Sequence, residues 1–570
     1  MAPVITKRQN TPQKKWLLFG LIFALIFVLS SILLFLFFPF ASTERQTYFS
    51  GTNPILKDGG QIGNALVRGE NVYIPFSLLK EHIDEHLFFD EKSNSVIVTK
   101  SNQVIQLPLN STVYFANRQP VEQMVPVAVN ENGETYVEAN TFFSSSPYQY
   151  RLLKDTNAIQ LFKDGDVLQH ASITAVDVKQ EKLRLRVEPS IRSPFTAETI
   201  DKETVYVEKE AESYYYVRKE NGVAGYLDKK YITLENQEVI MDEYETPAVF
   251  VPNIETPIHL TWEAVYNKNP DPGTLPVMPG INVVSPTWFS LGDGNGTIKN
   301  LASLDYVNWA KSQNYQVWAL FSNSFDPDLT HEAFRDYETR QHIIQQLLDF
   351  SNQYQLDGIN IDIENVNEED GVLVTQFIRE ATPYFHERGL TVSMDITFIA
   401  EGNWSGFYER ERLDEVVDYL VVMAYDEHWG SSSVAGSVSS FPWVETNLQK
   451  LLEIVSNEKL LLGVPLYTRL WEEKDSGKVS STALGMEQAR QWLTDHQLNA
   501  VYDEESGQYY AEYYAEAEKT TYKLWIEDEH SLKKRAEIAQ KYKLAGIASW
   551  SRYFADEAAW SALQMEKQGQ

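Results

Sequence analysis

At 570 residues the chain is too long for one domain, and its length alone predicts about three or four. The formal net charge of -31 at pH 7 argues against binding to nucleic acid or other polyanions through charge. Cysteine is absent from the sequence, which excludes disulfides, thiolate metal sites and cysteine nucleophiles.

The N-terminal region contains one long apolar segment. Residues 16–41 carry no charge and are dominated by Leu, Ile and Phe, and they exceed the ~20 residues that a helix needs to cross a bilayer. Basic residues lie in the preceding segment 1–15, so the positive-inside rule predicts a cytoplasmic tail. We therefore expect a single-pass protein of the cell membrane with everything after residue 42 outside. The alternative is a cleaved signal peptide, although Pro39-Phe40-Ala41-Ser42 is a poor cleavage site.

Residues 46–166 combine short strands, turns and one or two helices into an α+β domain. A strand, helix and hairpin theme recurs, as in 71–79 and 134–138. The pattern resembles the small domain named for the N-terminus of copper amine oxidases, which is common in Gram-positive wall proteins. The segment shows no cluster of His or carboxylate residues with a spacing that suits copper.

Residues 170–236 predict an all-β unit, followed by an acidic linker over 237–256. The segments 183–190 and 221–227 are similar to the opening and closing strands of bacterial SH3-like domains. This resemblance implies binding to the cell wall. The other interpretation is that the tyrosines of this unit are ordinary core and strand residues.

From residue 257 onward, apolar β-rich runs recur at intervals that leave room for helices. Strands that alternate with helices predict a parallel sheet, and eight such runs over roughly 300 residues predict a (β/α)8 TIM barrel over 257–570. The predicted strands are 257–265, 281–291, 316–322, 357–364, 390–397, 419–425, 460–467 and 545–550.

The fourth run has an unusual alternation. Ile359, Ile361 and Ile363 share one face of the predicted strand, and Asn360, Asp362 and Glu364 share the other. Unpaired carboxylates are costly to bury. Taken alone, the pattern also fits a half-exposed strand with its polar face in solvent. Within a barrel, Glu364 instead falls at the C-terminal end of the strand, where barrel enzymes carry their chemistry.

Several motifs together carry a family resemblance. The segment 357–364 resembles the DxxDxDxE signature of family 18 glycoside hydrolases, the chitinase-like family. The segments 423–426, 463–467 and 546–550 are similar to that family's sixth, seventh and eighth strands, and about 470–530 is similar to its small α+β insertion. Asn360 stands where many members have an Asp, as in the branch that acts on bacterial cell wall and spore cortex.

The resemblance implies a substrate-assisted, retaining mechanism without a cofactor. Glu364 is expected to protonate the leaving oxygen, Asp362 to stabilise the acetamide nucleophile of the substrate, and Tyr425 to hydrogen-bond its carbonyl. Asn360 is expected to hold Asp362 in place. Further expected substrate-binding residues are Asp426, Trp550, Trp288 and Tyr467. Asp357 is an odd-numbered residue, so it does not share the face of Asn360, Asp362 and Glu364. We therefore assign it a structural supporting role.

Two alternatives remain at this stage. Asp395 and Asp426 could join Asp362 and Glu364 as ligands of magnesium, although the sugar-stacking aromatics favour a site without metal. The barrel could also be a silent carbohydrate-binding protein, which retention of Asp362 and Glu364 disfavours. We therefore expect an extracytoplasmic glycosidase that cleaves β-1,4 bonds of N-acetylglucosamine-containing peptidoglycan, with chitin as the alternative substrate.

Overall fold

The structure is a computed structural model that describes residues 13–37, 40–241 and 247–566. Most of the predicted cytoplasmic tail and part of the predicted linker lie outside the described residues. The chain divides into two compact units, Met1–Glu85 with Pro126–Thr246, and His86–Val125 with Pro247–Gln570.

The first unit begins with one long apolar helix, Gln13–Phe37. Its segment Trp16–Leu34 has a mean hydropathy of 2.9 and is long and apolar enough to cross a membrane by length and composition. A signal sequence near an N-terminus has the same properties.

Three sheets make up the rest of the first unit. The first is four-stranded, in the order Tyr148–Leu153, Ala158–Lys163, Pro54–Lys57, Gly60–Asn64. The second is also four-stranded, in the order Ala128–Glu131, Glu134–Glu138, Asn71–Pro75, Leu66–Arg68. The helices Phe76–His82 and Ala139–Phe143 follow strands of the second sheet. The third sheet is seven-stranded, in the order Phe195–Glu198, Arg184–Arg186, Ala224–Asp228, Tyr214–Lys219, Thr204–Ala211, Val167–Ile173, Ile232–Val239. It covers the predicted all-β unit, for which the SH3-like interpretation stays a prediction.

The second unit contains the predicted barrel. Eight parallel strands pair in sequence order, and pairing of the first with the last closes the ring. The strands are Ile258–Glu263, Val283–Pro286, Gln316–Ser322, Gly358–Asp362, Thr391–Ile396, Tyr419–Met423, Leu460–Pro465 and Gly546–Trp550. Each lies within a run that the sequence predicts, so the prediction of a TIM barrel is confirmed.

Helices and a small insertion complete this unit. The helices are Leu304–Ser312, Pro327–Phe334, Tyr337–Tyr354, Gly371–Glu387, Arg410–Val416, Phe441–Leu451, Glu529–Lys541 and Glu557–Ala562. A short antiparallel pair, Phe289–Leu291 and Ile298–Asn300, lies beside the third barrel strand. The α+β insertion after the seventh strand has a sheet in the order Val479–Gly485, Tyr467–Lys474, Thr520–Ile526, Gln508–Ala515, Val501–Asp503 and the helix Met486–Asp495.

A further five-stranded sheet from the N-terminal half belongs to the barrel unit. Its strands are Phe88–Asp90, Ser95–Lys100, Gln103–Pro108, Val113–Ala116 and Gln119–Glu122. Ile97 and Val104 of this sheet are buried in the same hydrophobic cluster as the barrel helices. Residues 86–125 lie within the predicted domain 46–166, yet they pack in the same compact unit as the barrel.

Side chains on the two faces of the fourth strand belong to two different hydrophobic cores, one outside the barrel and one inside it. Ile359, Ile361 and Ile363 pack outward into the cluster shared with the surrounding helices. The interior of the barrel is filled by a second cluster, in which the rings of Trp318 and Tyr419 stack with centroids 5.8 Å apart. Gly358 is required here, because a Cβ atom on it would lie 2.7 Å from the Trp318 side chain.

Candidate active site

The polar face of the fourth strand is buried at the C-terminal mouth of the barrel. Asn360 is 0% and Asp362 8% exposed, and Glu364 is half-buried just past the end of the strand. The half-exposed strand suggested by the pattern alone is therefore wrong. Inward-facing residues lie inside the closed barrel, and only the last of them approaches the opening.

Asn360 is tied to neighbouring strands and not to Asp362. Its Oδ1 accepts hydrogen bonds from Trp262 Nε1 at 2.9 Å and from the Ser285 hydroxyl at 3.0 Å. Its Nδ2 donates to the Ser393 hydroxyl at 3.1 Å and to Asp395 Oδ1 at 2.8 Å. The expectation that Asn360 holds Asp362 needs correction, because the carboxylate that it holds belongs to the fifth strand.

Asp362 has a carboxylate oxygen that lacks a partner. Its Oδ1 is fully buried and has no hydrogen-bond partner among the residues that the structure describes. Burial raises the pKa of Asp362 to about 7, since a low-dielectric site disfavours the charged form. Such an orphaned acceptor is expensive unless a ligand supplies the donor.

Glu364 and Asp395 complete a group of three carboxyl groups. Burial, followed by the charges of Asp362 and Asp426, holds the pKa of Glu364 well above its usual range. Burial and Asp362 likewise raise the pKa of Asp395, which is 1% exposed. Because three close carboxylates cannot all ionise without a large penalty, the site retains protons at a pH where ordinary carboxyl groups have lost them. A carboxyl group that stays protonated near neutral pH can act as a general acid.

The backbone of Glu364 is held from the third strand. Asn323, 0% exposed, accepts the Glu364 N–H through Oδ1 at 3.1 Å and donates from Nδ2 to the Glu364 carbonyl at 2.7 Å. The hydroxyl of buried Tyr408 donates to the Ile363 carbonyl at 2.7 Å. Both residues escaped the sequence analysis. Asn323 directly follows a barrel strand, which is a weak signal, whereas nothing in the sequence relates Tyr408 to the site.

Residues of the sixth to eighth strands form the remaining walls. Tyr425 is half-buried, and burial and the nearby carboxylates keep its pKa well above its usual range, so it remains a hydroxyl donor. Trp550 is half-buried, and the centroids of its ring and of the Trp262 ring lie 5.8 Å apart. Tyr467 donates to Asp426 Oδ1 at 2.6 Å, and Arg469 Nη2 lies 3.1 Å from the same oxygen.

Two predicted site residues lie elsewhere. Trp288 is 1% exposed, donates from Nε1 to Asn269 Oδ1 at 2.6 Å and packs against Tyr306. It therefore offers no surface to a glycan in this structure, because it points into the core around the barrel. Asp357 lies at the opposite end of the fourth strand, where its carboxylate accepts the Val317 N–H at 2.9 Å.

Comparison with known proteins agrees with this geometry. Residues 288–555 match the family described as glycosyl hydrolases family 18. This segment is a family 18 glycosyl hydrolase domain. Residues 61–161 match the copper amine oxidase N-terminal domain, which confirms the resemblance seen in the sequence.

Three relatives illustrate the range of the similarity. The family 18 region is 25% identical to the uncharacterized glycosylase YvbX of Bacillus subtilis over 296 residues, which are 50% of this chain and 84% of the relative. It is 23% identical to the cortical fragment-lytic enzyme of Bacillus subtilis over 266 residues, 45% of this chain and 61% of the relative. The spore cortex-lytic enzyme SleL of Bacillus megaterium superposes with a TM-score of 0.50 at 17% identity, over 59% of this chain and 79% of SleL. The likeness to SleL supports the fold alone.

Proposed function

We propose that this chain is a membrane-anchored, extracytoplasmic glycosidase that hydrolyses β-1,4 bonds of N-acetylglucosamine-containing peptidoglycan with retention of configuration. The observation that carries the proposal is the unpaired, buried Oδ1 of Asp362, two residues before Glu364, whose pKa burial holds well above its usual range. An acetamide N–H of the substrate would satisfy this oxygen. The same contact would orient the acetamide carbonyl toward the anomeric carbon.

In the proposed mechanism Glu364 donates its proton to the leaving glycosidic oxygen. The acetamide oxygen of the substrate attacks the anomeric carbon, which breaks the glycosidic bond and forms an oxazolinium ion. Asp362 stabilises the positive charge of this ion, and Tyr425 hydrogen-bonds the acetamide oxygen. Glu364, now a carboxylate, then takes a proton from a water molecule. The water attacks the anomeric carbon and opens the oxazolinium ring. Asp362 ends the fourth strand and Glu364 follows it by two residues, so the two carboxyl groups cannot act from opposite faces of the sugar as in ordinary retaining glycosidases.

Other residues bind and orient the sugar in this proposal. Trp550 supplies a stacking surface, and Asp426, fixed by Tyr467 and Arg469, contacts sugar hydroxyls. Asn360 acts indirectly, because its hydrogen bonds fix Asp395 and not the substrate. Asp395 and Asp426 are each engaged by hydrogen-bond donors, which favours a role in hydrogen bonding over one in holding a metal ion.

The choice of peptidoglycan rests on the relatives and on the N-terminal half. One relative is a cortical fragment-lytic enzyme, and a copper amine oxidase N-terminal-like domain precedes the barrel. Chitin is the second candidate, because the human di-N-acetylchitobiase is 25% identical over 252 residues. We assign the position where the oxazolinium forms to N-acetylglucosamine, since the lactyl group of muramic acid adds bulk at O3.

The test is a digest of purified peptidoglycan analysed by mass spectrometry. We expect new reducing ends of N-acetylglucosamine, and an NMR time course should show the β-anomer first. Reducing muramic acid, or activity confined to chitin oligomers, would overturn the substrate assignment. Initial formation of the α-anomer would overturn the mechanism.

Membrane anchoring has its own experiment. Protease added to intact protoplasts should degrade everything after about residue 42 if the helix Gln13–Phe37 spans the membrane with its N-terminus inside. A soluble form that starts near residue 42 in the culture medium would instead identify a cleaved signal peptide.

A further inference from the structure

The segment that follows the sixth barrel strand has a backbone conformation that is costly by itself. Tyr425 and Asp426, which we expect to contact the substrate, come just after the strand Tyr419–Met423. Asp426 has a φ angle of 59°, in the left-handed region. This region is unfavourable for a residue with a side chain, so it persists only where the surrounding structure holds it.

A buried serine is bonded to this segment. Ser439 is fully buried in the loop that precedes the helix Phe441–Leu451, and its hydroxyl donates to the Ala424 carbonyl at 2.6 Å. That carbonyl belongs to the peptide unit that joins Ala424 to Tyr425. Because a peptide unit is planar, fixing its oxygen also fixes the backbone nitrogen of Tyr425.

Arg535 of the helix Glu529–Lys541 holds both oxygen atoms of Ser439. The Nη1 atom of Arg535 donates to the Ser439 hydroxyl at 2.9 Å, and its Nη2 atom donates to the Ser439 carbonyl at 2.7 Å. A serine hydroxyl has a single proton. Since the Ser439 hydroxyl accepts from Arg535, its own proton is directed to the Ala424 carbonyl.

The guanidinium of Arg535 is fixed in turn by Glu527, at the end of the α+β insertion. Both residues are fully buried, and Arg535 Nε donates to Glu527 Oε2 at 3.2 Å. The same carboxylate accepts from the Ser531 hydroxyl at 2.8 Å and from Gln508 Nε2 at 2.7 Å. A buried ion pair often stabilises a fold no better than apolar residues of the same volume. A role in fixing one conformation of the neighbouring loop therefore explains this pair better than stability does.

From this arrangement we infer that Arg535 and Ser439 are positioning residues, which hold the backbone of 424–426 so that the side chains of Tyr425 and Asp426 reach the substrate. The inference rests on the proposed function, in which Tyr425 hydrogen-bonds the acetamide oxygen. Arg535 and Ser439 are buried, so they act through this backbone and not by touching the glycan. The insertion takes part in the reaction through Glu527, which orients Arg535.

The first variant is Ser439→Ala in the full chain, assayed on peptide-free peptidoglycan strands. It removes the bond to the Ala424 carbonyl but keeps the backbone carbonyl that Arg535 contacts, so the loop should still fold. We expect kcat to fall about tenfold, an effect of the size caused by a catalytic group displaced by less than ~1 Å. Ser351→Ala is the matched control, because it removes an equally buried hydroxyl that donates to the Leu347 carbonyl at 2.7 Å within a helix. This control should keep the kcat of the wild type.

A double-mutant cycle with Tyr425→Phe separates positioning from a general loss of stability. Tyr425→Phe removes the hydroxyl that Ser439 is inferred to position and should itself lower kcat. Adding Ser439→Ala to it should then change kcat by less than about twofold, because residues that act through one another are not additive. Independent effects on the fold would multiply instead.

Arg535→Lys tests the next residue of the network. Lysine keeps a positive charge beside Glu527, but it lacks the planar fork that reaches both oxygen atoms of Ser439. We expect a loss of kcat smaller than that of Ser439→Ala, and this loss should also vanish in the Tyr425→Phe background.

Several outcomes would overturn the inference while the proposed function stands. They are an unchanged kcat in Ser439→Ala, an equal loss in Ser351→Ala, and a tenfold loss that persists in the Tyr425→Phe background. An unchanged kcat in Tyr425→Phe would do the same, because nothing would then be positioned. A wild-type chain inactive both on the strands and on chitin oligomers would overturn the proposed function and this inference with it.

Discussion

Two groups of buried carboxylates in the barrel unit are compensated in opposite ways. Asp90 and Glu380 have no exposed side-chain surface, and both are paired with buried Arg340, at 3.0 and 2.7 Å. Asp362, Glu364 and Asp395 lie at the mouth of the same barrel, where Asp395 accepts hydrogen bonds from neutral donors, the Asn360 amide and the Trp262 indole. The first group joins the five-stranded sheet of residues 88–122 to the barrel helices. The carboxyl groups of the second group have raised pKa values.

The difference separates a structural use of buried charge from a functional one. A buried carboxylate that is paired with arginine stays ionised and does little chemistry, since its charge is already compensated. Carboxyl groups that are buried without a cation have raised pKa values, a shift that costs stability and is typical of catalytic sites.

Glu364→Gln should produce the largest loss of activity. The amide has no proton to donate, so turnover of peptidoglycan strands should fall by at least ~10²–10⁴-fold, the range typical of a positioned acid–base group. Glycan binding, followed by isothermal titration, should persist. Glu369→Gln is the matched control, because Glu369 is exposed in the short 3-10 helix that follows. Undiminished hydrolysis by Glu364→Gln would end its assignment as the acid.

Arg340→Ala should produce the largest loss of stability. Removing the guanidinium leaves Asp90 and Glu380 buried without a cation, and breaking a buried pair in this way costs ~3–5 kcal/mol. Chemical denaturation followed by fluorescence measures the change in the free energy of unfolding. Arg335→Ala breaks the exposed pair with Glu332 and should cost at most ~1 kcal/mol. Similar losses in the two variants would refute the distinction drawn for Arg340.

Asp362→Asn should change how stability depends on pH. A carboxyl group whose pKa is higher in the folded chain binds more protons when folded, so its contribution is complete below the unfolded pKa and is lost as the pH rises through the folded pKa. For Asp362 this window runs from 3.8 to about 7. Relative to their values at pH 4, the free energies of unfolding should fall more steeply toward pH 7 in the wild type than in the variant. Parallel curves would show that Asp362 is not the titrating group.

Asn323→Ala should have a smaller and selective effect. The variant loses both hydrogen bonds to the Glu364 backbone, so the acid is less well oriented and kcat should fall about tenfold, as for a misplaced catalytic group. KM should change less than kcat, because the Asn323 side chain is fully buried. Asn447→Ala, which removes a side-chain bond within a helix, should leave kcat intact. A rise in KM without a fall in kcat would contradict the positioning role.

The five-stranded sheet of residues 88–122 has strands that the sequence predicts and a packing partner that it does not. The short strands of 86–125 are visible in the sequence, and a family model covers 61–161 as one domain. The sequence does not reveal that this part packs with the barrel, because Asp90 and Arg340 are 250 positions apart and their pairing depends on the fold. An isolated acidic residue on a short strand would ordinarily be assigned to the surface.

The barrel and the inward-facing polar residues of its fourth strand could be predicted from the sequence alone. The period-two alternation of the fourth strand fixed which side chains face inward, and the spacing of eight apolar runs fixed the architecture. The three-dimensional structure was needed to show that Asn360 holds Asp395 and not Asp362, that Trp288 is buried, and that the ring of Phe325 lies beside that of Trp404. Alternation along a strand specifies a face, whereas a contact between strands or loops depends on register and loop conformation. These are set by the closed sheet as a whole, so no local pattern in the sequence contains them.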